Sequence, residues 1–294
     1  MKLGAECVLC MIQSNWKRVE NYPPNVRDEY MLALIRIMDN AGERSATGLV
    51  PEVHALRERL LGRAEDDFTE IKRQYNTWML ERMPELRARI AASADPLLEA
   101  LRLAMAANYI DFSAVKDVNT EKLMELLDAT HPEEISPGEY AHFLEDLSCA
   151  RSLVYCTDNC GEIVLDRLVL EAVQKRFPHV RRTVIVRGGP VANDATAQDA
   201  LEVGLDCVAQ ILPSGAAIGG TEISYLSEPA RRALEEADLI VAKGQGNFET
   251  LSGCGWNIYY LFLCKCAMFT AKFGMERFRG VFANERRLEK HLAH

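Results

Sequence analysis

The sequence predicts an α/β protein: a mostly parallel sheet in a three-layer α/β/α domain, preceded by an all-helical domain. Three observations lead there. Residues 1–147 space their apolar side chains three and four apart, with little strand-like alternation. Residues 148–294 instead alternate short apolar runs with longer amphipathic stretches, as strands joined by covering helices do. Each expected strand is followed by polar, glycine-rich chain, where open parallel sheets bind their ligands. A helical bundle or cap over 1–147 and an α/β domain over 148–294 are the expected units.

In the first half, Tyr30, Leu34, Ile37 and Met38 form one helical stripe, and Leu86, Ile90, Leu97, Leu98 and Leu101 another. Pro23, Pro24, Pro51, Pro84, Pro96, Pro132 and Pro137 punctuate the pattern as helix boundaries would. In the second half strands are expected over 152–157, 183–186, 206–212, 238–242 and 280–283. The intervening helices are expected over 162–177, 195–203, 223–237 and 248–269.

Composition bounds the function. Of 294 residues, 48% are hydrophobic and 26% charged, the balance of a globular chain. A net charge of −9 argues against a general nucleic-acid binder, which would hold phosphates with Lys and Arg. No apolar run approaches the roughly 18–20 residues of a membrane span. The start, Met1 to Glu6, meets an acidic residue before any leader-like apolar core, so a cytoplasmic location is expected. Nine scattered cysteines suit a reducing compartment better than a disulfide framework.

The chemistry lies after the strands. The first expected strand runs into Asp158 and Asn159, the second into Arg187-Gly188-Gly189 and then Asn193-Asp194. Adjacent strands lie about 4.8 Å apart, so these two loops could bring Asp158 and Asp194 onto one ion. Carboxylate and amide oxygens suit a hard cation such as magnesium or manganese. The six histidines form no ligand-spaced cluster. Helix capping is the plain alternative for either dipeptide alone; the pair after consecutive strands shifts the balance towards a metal.

The third strand leads into Pro213-Ser214-Gly215 and Gly219-Gly220-Thr221, the fourth into Lys243-Gly244-Gln245-Gly246-Asn247-Phe248-Glu249. Glycine lets backbone N–H groups approach an anion, and a helix starting near Asn247 adds its dipole. Lys243 offers a point charge to a phosphate and Arg187 a fork. Gly188, Asn193, Gly244, Asn247 and Glu249 join them as phosphate- or substrate-facing candidates, although a plain turn also explains the last loop.

Taken together, TDNCGEIVLDRLVLE, VRGGPVANDATAQDA, PSGAAIGGT and ADLIVAKGQGNFETLSG resemble the signature stretches of the damage-control phosphatases, the ARMT-like metal-binding proteins. The close resemblance covers about 147–285. A looser one extends to Ala107-Asn108-Tyr109-Ile110-Asp111-Phe112 and to Cys7-x-x-Cys10, as in the CxxC-bearing microbial branch. The resemblance implies a divalent metal (Mn, Mg, Co or Ni) on Asp158, Asn159 and Asp194. It also implies hydrolysis of small phosphorylated metabolites such as sugar phosphates. Asn108 and Asp111 match a segment near the family's active site, with Ala107 standing where glycine is usual. Lys265 matches a lysine that faces the phosphate.

Two routes of attack are open: Asp158 as nucleophile, or water with Glu162 or Asp194 as base. Cys160 occupies the place of the second aspartate in the haloacid-dehalogenase pattern, which favours water, with Lys243 and Lys265 neutralising charge. Methyl transfer from S-adenosylmethionine is a rival, weakened by the single glycine in Asp158-Asn159-Cys160-Gly161; a non-catalytic metabolite-binding regulator is another. Finally, Cys7 and Cys10 share a helix face at i and i+3, half of a possible second metal site, with buried thiols as the alternative. Cys264-x-Cys266 is the nearest further pair.

Overall fold

The computed structural model describes residues 1–63, 67–112, 114–115, 118–129 and 134–292. His131, Pro132 and His294 lie outside them, so the boundary expected at Pro132 is outside as well.

Among the described residues, seven α-helices occupy the first half: α1 (Ala5–Val19), α2 (Pro24–Asp39), α3 (Val50–Leu61), α4 (Thr69–Ala92), α5 (Pro96–Ala107), α6 (Thr120–Asp128) and α7 (Pro137–Cys149). Prolines sit in the first turns of α2, α3, α5 and α7, where a missing N–H costs no helical bond. Asp95 and Ser136 cap α5 and α7 with side-chain oxygens. Pro84 departs from expectation, because α4 runs straight through it. Interior proline loses one backbone bond; α4 persists because Tyr75, Met79, Leu86 and Ile90 bury one face.

The second half alternates as expected: β1 (Ser152–Cys156), α8 (Glu162–Arg176), β2 (Arg181–Val186), α9 (Ala197–Glu202), β3 (Gln210–Pro213), α10 (Glu228–Glu235), β4 (Leu239–Lys243), α11 (Gly244–Leu251), β5 (Ile258–Leu263), α12 (Ala267–Phe273) and β6 (Gly280–Asn284). One expectation fails. No helix spans 248–269: α11 stops at Leu251, and Gly253 and Gly255 turn the chain at positive φ. IYYLFL then forms β5, buried at every position between β4 and β6. A six-residue apolar run has no polar face to reveal its period, so helix and buried strand look alike in sequence. Two smaller differences have local causes. Residues 205–207 form a 3-10 turn ahead of a shorter β3, and Ser227 with Pro229 restarts the helix expected over 223–237 at Glu228.

The six strands of the described residues lie in the order β3-β2-β1-β4-β5-β6, parallel except for β6. Alternation sorts their side chains onto two faces. Leu153, Tyr155, Val184, Val186, Leu239, Val241, Tyr259 and Leu261 share a core with α4, α5, α7 and α8. Val154, Cys156, Ile185, Ile240, Ala242, Tyr260 and Phe262 face α10, α11 and α12. This is the three-layer arrangement. A third apolar cluster, built on Val19, Tyr30, Leu34, Leu49, Val53 and Leu56, holds α1, α2 and α3 together. Among the described residues no helix is long and apolar enough to cross a membrane.

From β1 the chain builds outward to β3, then returns to place β4 on the opposite side of β1. The loops after β1 and β4 therefore start on either side of this switch point, the place where doubly wound sheets bind ligands.

Candidate functional site

Two loops close over the end of β1. Ala195 N–H donates to Asp158 C=O at 2.8 Å, and Cys160 N–H to Asn193 C=O at 2.9 Å. The β-bridge between Asn159 and Asp194 lies between them. Asp158 and Asn159 are adjacent in sequence and Asp194 is distant from both; the three become neighbours because β1 and β2 pair in parallel. Ala192 takes a φ of 42° just before Asn193. A side-chain-bearing residue there costs about 1–3 kcal/mol, borne because the surrounding bonds fix the turn.

Arg187, wholly buried, ties the two carboxylates together. Its Nη2 donates to Asp158 Oδ1 at 3.0 Å, its Nε to Asp194 Oδ2, and its Nη1 to Asn247 Oδ1 at 3.4 Å. The fork expected to face phosphate is thus occupied by protein oxygens. Asp158 Oδ2 accepts from Asn108 Nδ2 at 3.1 Å and Asn159 Nδ2 at 2.7 Å.

Behind this pair stands a second tier. Glu162, in the first turn of α8, accepts from Asn108 and Asn159, both at 3.0 Å, and from Lys243. Lys243 is fully enclosed; its ammonium also donates to Asp166 Oδ1 at 2.8 Å and Ala104 C=O at 2.9 Å. All three of its hydrogens are used, so its charge steadies Glu162 and Asp166. Lys265 lies on the other flank, donating to Asn108 C=O at 2.8 Å and pairing with Asp111 Oδ2 at 2.7 Å. Asn108 itself accepts from Leu263 N–H at 3.1 Å, which locks the end of α5 to β5.

The electrostatics of this centre are unbalanced. Asp111, Asp158, Glu162, Asp166 and Asp194 face Arg187, Lys243 and Lys265. Five carboxyl groups face three cations, so full ionisation would put two surplus negative charges into a nearly dry space. Asp158 is pushed up to about 8, by burial first and then by the charges of Asp194 and Glu162. Burial also raises Asp194, against the pull of Arg187. Asn159 Oδ1 and Asp194 Oδ1 accept no hydrogen bond among the described residues. No trio of His, Cys, Asp and Glu side chains is grouped for a metal among them either. The expected set of two carboxylates and one amide does not need such a trio. Hard oxygen donors and a deficit of two positive charges fit a divalent cation.

The remaining candidates divide. Gly244 belongs to the centre: its φ is 78°, and a Cβ there would lie 2.0 Å from Asp158 Oδ2, so only glycine lets α11 start against this carboxylate. Gly188 is packed on the backbone of Gly215 and spends its N–H on Ser214 Oγ and Ala216 C=O, both at 3.0 Å. Asn193 holds the loop after α5 through Ile110 C=O and Phe112 N–H. Asn247 joins Thr157 C=O, Lys243 C=O and Thr221 Oγ1. Glu249 lies apart, with its carboxylate on Thr47 Oγ1 at 2.9 Å. Cys7 and Cys10 are on α1.

Sequence reasoning missed Asp166 and Asn76, and named Thr221 and Gln245 only as members of loops, without a role. Asp166 lies one helical turn after Glu162, which the i, i+4 spacing could have exposed. Asn76 accepts from Gly161 N–H at 2.6 Å and fixes the turn into α8; nothing in its own surroundings in sequence marks it. Gln245 accepts from Lys265 N–H at 2.6 Å, from within the loop already singled out.

Fold and site together define an α/β protein with a buried acidic centre at the switch point of its sheet. The chain belongs to the damage-control phosphatase family: residues 4–279 match the Damage-control phosphatase ARMT1-like domain. A damage-control phosphatase of Archaeoglobus fulgidus is 32% identical over 221 residues, 74% of this chain and 75% of the relative. A damage-control phosphatase of Pyrococcus horikoshii is 27% identical, covering 90% and 92%. A protein of Methanocaldococcus jannaschii without a functional name is 28% identical, covering 94% and 93%. The crystal structure of a DUF89-family protein from Pyrococcus horikoshii superposes with a TM-score of 0.78 at 26% identity, over 97% of this chain and 99% of that one.

Proposed function

We propose that this protein is a phosphatase of small phosphorylated metabolites, sugar phosphates or related damaged compounds, and that it works with a divalent cation. Asp158, Asn159 and Asp194 are the residues to hold manganese, magnesium, cobalt or nickel. The observation that carries the reading is the gathering of five carboxyl groups against three cations around oxygen donors at the switch point. Two relatives bear the name damage-control phosphatase, which supports the same class of chemistry.

A bound divalent cation supplies electrostatic stabilisation of phosphate oxygens and acidifies water. The chain's own residues do the rest. Lys265 has two of its three hydrogens on Asn108 and Asp111, which leaves one for a phosphate oxygen. Phosphoryl transfer asks mainly for positioning and charge neutralisation, and a buried ammonium serves both. Glu162 or Asp194 takes the proton of an attacking water; Asp158 acts as a ligand. Lys243 is a positioning residue in this scheme, because it holds Glu162 from behind. Asn108 orients Asp158 and Glu162 at once.

In the same proposal residues 1–147 form the helical unit and 148–294 the α/β unit, with the loop after α5 carrying Asn108 and Asp111 to the metal. The substrate is a free metabolite, not nucleic acid or membrane. Nine free cysteines fit work in the cytoplasm.

Phosphate release from p-nitrophenyl phosphate and a panel of metabolite phosphates tests this, with manganese, cobalt, nickel or magnesium added to chelator-treated protein. Turnover should need the cation and vanish in Asp158→Ala and Asp194→Ala variants that remain folded. Activity retained by both variants refutes the assignment.

A further inference from the structure

The loops that carry Asp158, Asn159 and Asp194 are held from outside the sheet by one helix. The turn after β1 buries three successive residues, and their backbone N–H groups need partners. Asn159 N–H meets the carboxylate of Glu162 at 3.4 Å, and Cys160 N–H meets Asn193 C=O at 2.9 Å. The third N–H, on Gly161, is accepted by Asn76 Oδ1 of α4 at 2.6 Å. Gly161 stands just before α8 with a φ of 78°. A Cβ on it would lie 3.0 Å from Ile110 Cδ1 and 3.1 Å from Tyr75 Cβ, so α4 leans directly on this turn.

The same stretch of α4 reaches the chain that follows β2. Lys72, one helical turn before Asn76, pairs with Asp199 Oδ2 at 2.7 Å. That oxygen also accepts from the backbone N–H and the hydroxyl of Thr196, at 2.8 and 2.6 Å. Asn76 Nδ2 turns to the other oxygen, Asp199 Oδ1, at 3.5 Å. Thr196 forms a β-bridge with Arg187, and its neighbour Ala195 donates to Asp158 C=O at 2.8 Å. Asn76, itself buried, thus touches the turn after β1 and the cap of α9 that closes the loop after β2, while belonging to neither.

We propose, on the metal assignment made above, that Lys72 and Asn76 are positioning residues: α4 clamps the two loops so that their oxygens meet at one cation. Neither residue is a ligand. Metal affinity depends on the groups that hold ligands still as well as on the ligands. Shortening Asn76 takes the acceptor from Gly161 N–H and loosens the turn that presents Asn159. Removing Lys72 relaxes Asp199 alone, which Thr196 still holds. Arg87, further along α4, separates this role from simple helix docking. It binds Glu171 of α8 through two bonds of 2.9 Å, so it ties the same two helices together three turns away from the loops.

Manganese binding to the chelator-treated full chain, followed by isothermal titration calorimetry, tests the clamp beside urea unfolding. Asn76→Ala should weaken binding by about tenfold or more. Lys72→Met should weaken it by about threefold, as a lone ion pair in a supporting shell would. Arg87→Ala should lower the urea midpoint and leave manganese affinity as it is. Lys72 is only half-buried, so Lys72→Met carries the test if Asn76→Ala does not fold. Unchanged affinity in either folded clamp variant, or an equal loss in Arg87→Ala, overturns the proposal. A wild-type chain that takes up no manganese instead removes the metal assignment, and the clamp with it.

Discussion

Replacing Gly244 by alanine probes how the centre is held. The new Cβ would lie 2.0 Å from Asp158 Oδ2 and 2.3 Å from its Cγ. Carbon and oxygen ordinarily approach to about 3.3–3.6 Å, so the carboxylate must retreat by more than about 1 Å. That retreat breaks the bonds to Oδ2 from Asn108 (3.1 Å) and Asn159 (2.7 Å) and draws Oδ1 off Arg187 (3.0 Å). The φ of 78° adds its own penalty, about 1–2 kcal/mol for a residue with a Cβ. Each hydrogen bond lost to a charged group costs roughly 1.5–3 kcal/mol. With partial relaxation, the expected loss is about 3–6 kcal/mol, a large part of a typical stability of about 5–15 kcal/mol. Urea unfolding measures it. Misplacing a reactive group by about 1 Å can cost about a hundredfold in rate, so manganese-dependent p-nitrophenyl phosphate hydrolysis should fall by at least that factor. Gly246→Ala is the control, since its nearest non-local atom is 3.3 Å away and its φ is not positive. Wild-type turnover in Gly244→Ala would show that Asp158 is not held where the account needs it.

Other outcomes follow from the same contacts. Lys243→Met strands Glu162 and Asp166 without their buried cation. Breaking such a pair typically costs about 3–5 kcal/mol, read as a lower urea midpoint; an unshifted midpoint contradicts the positioning role. Asp158 is held up to about 8 from an ordinary 3.8, so the metal-free fold is stabilised by keeping that proton. This contribution is complete below the ordinary value and disappears as pH climbs through about 8. The melting temperature of chelated protein should therefore fall between about pH 4 and 8 and level off above, and manganese should cancel the fall at the upper end. A flat metal-free profile counts against the charge surplus. Arg187→Lys keeps one charge but not the fork that spans Asp158 and Asp194. Manganese binding followed by calorimetry should weaken by about tenfold or more; unchanged affinity removes Arg187 from the metal's support.

Much of this was legible in the chain itself. Asp158 and Asn159 could be placed at a strand end because SLVYC is a compact apolar run and Gly161-Glu162 opens an amphipathic helix. Pairing them with Asp194 needed only the parallel neighbours β1 and β2. What sequence could not supply were partners set by the switch point. Lys243 enters from β4, which lies beside β1, and meets two acids of α8 that its loop gives no hint of. Arg187 has a phosphate-like fork in sequence, yet two carboxylates of its own chain fill it. β5 was hidden by its own burial, since a strand covered on both faces carries no alternation to read.

The central claim is that oxygen donors from the loops after β1 and β2 share one cation. Anomalous diffraction from a crystal soaked in manganese tests it most directly. The account predicts one strong peak bonded to Asp158, Asn159 and Asp194, absent when Asp194 is alanine. A peak elsewhere, with those three side chains bonded only to Arg187 and Asn108, contradicts it.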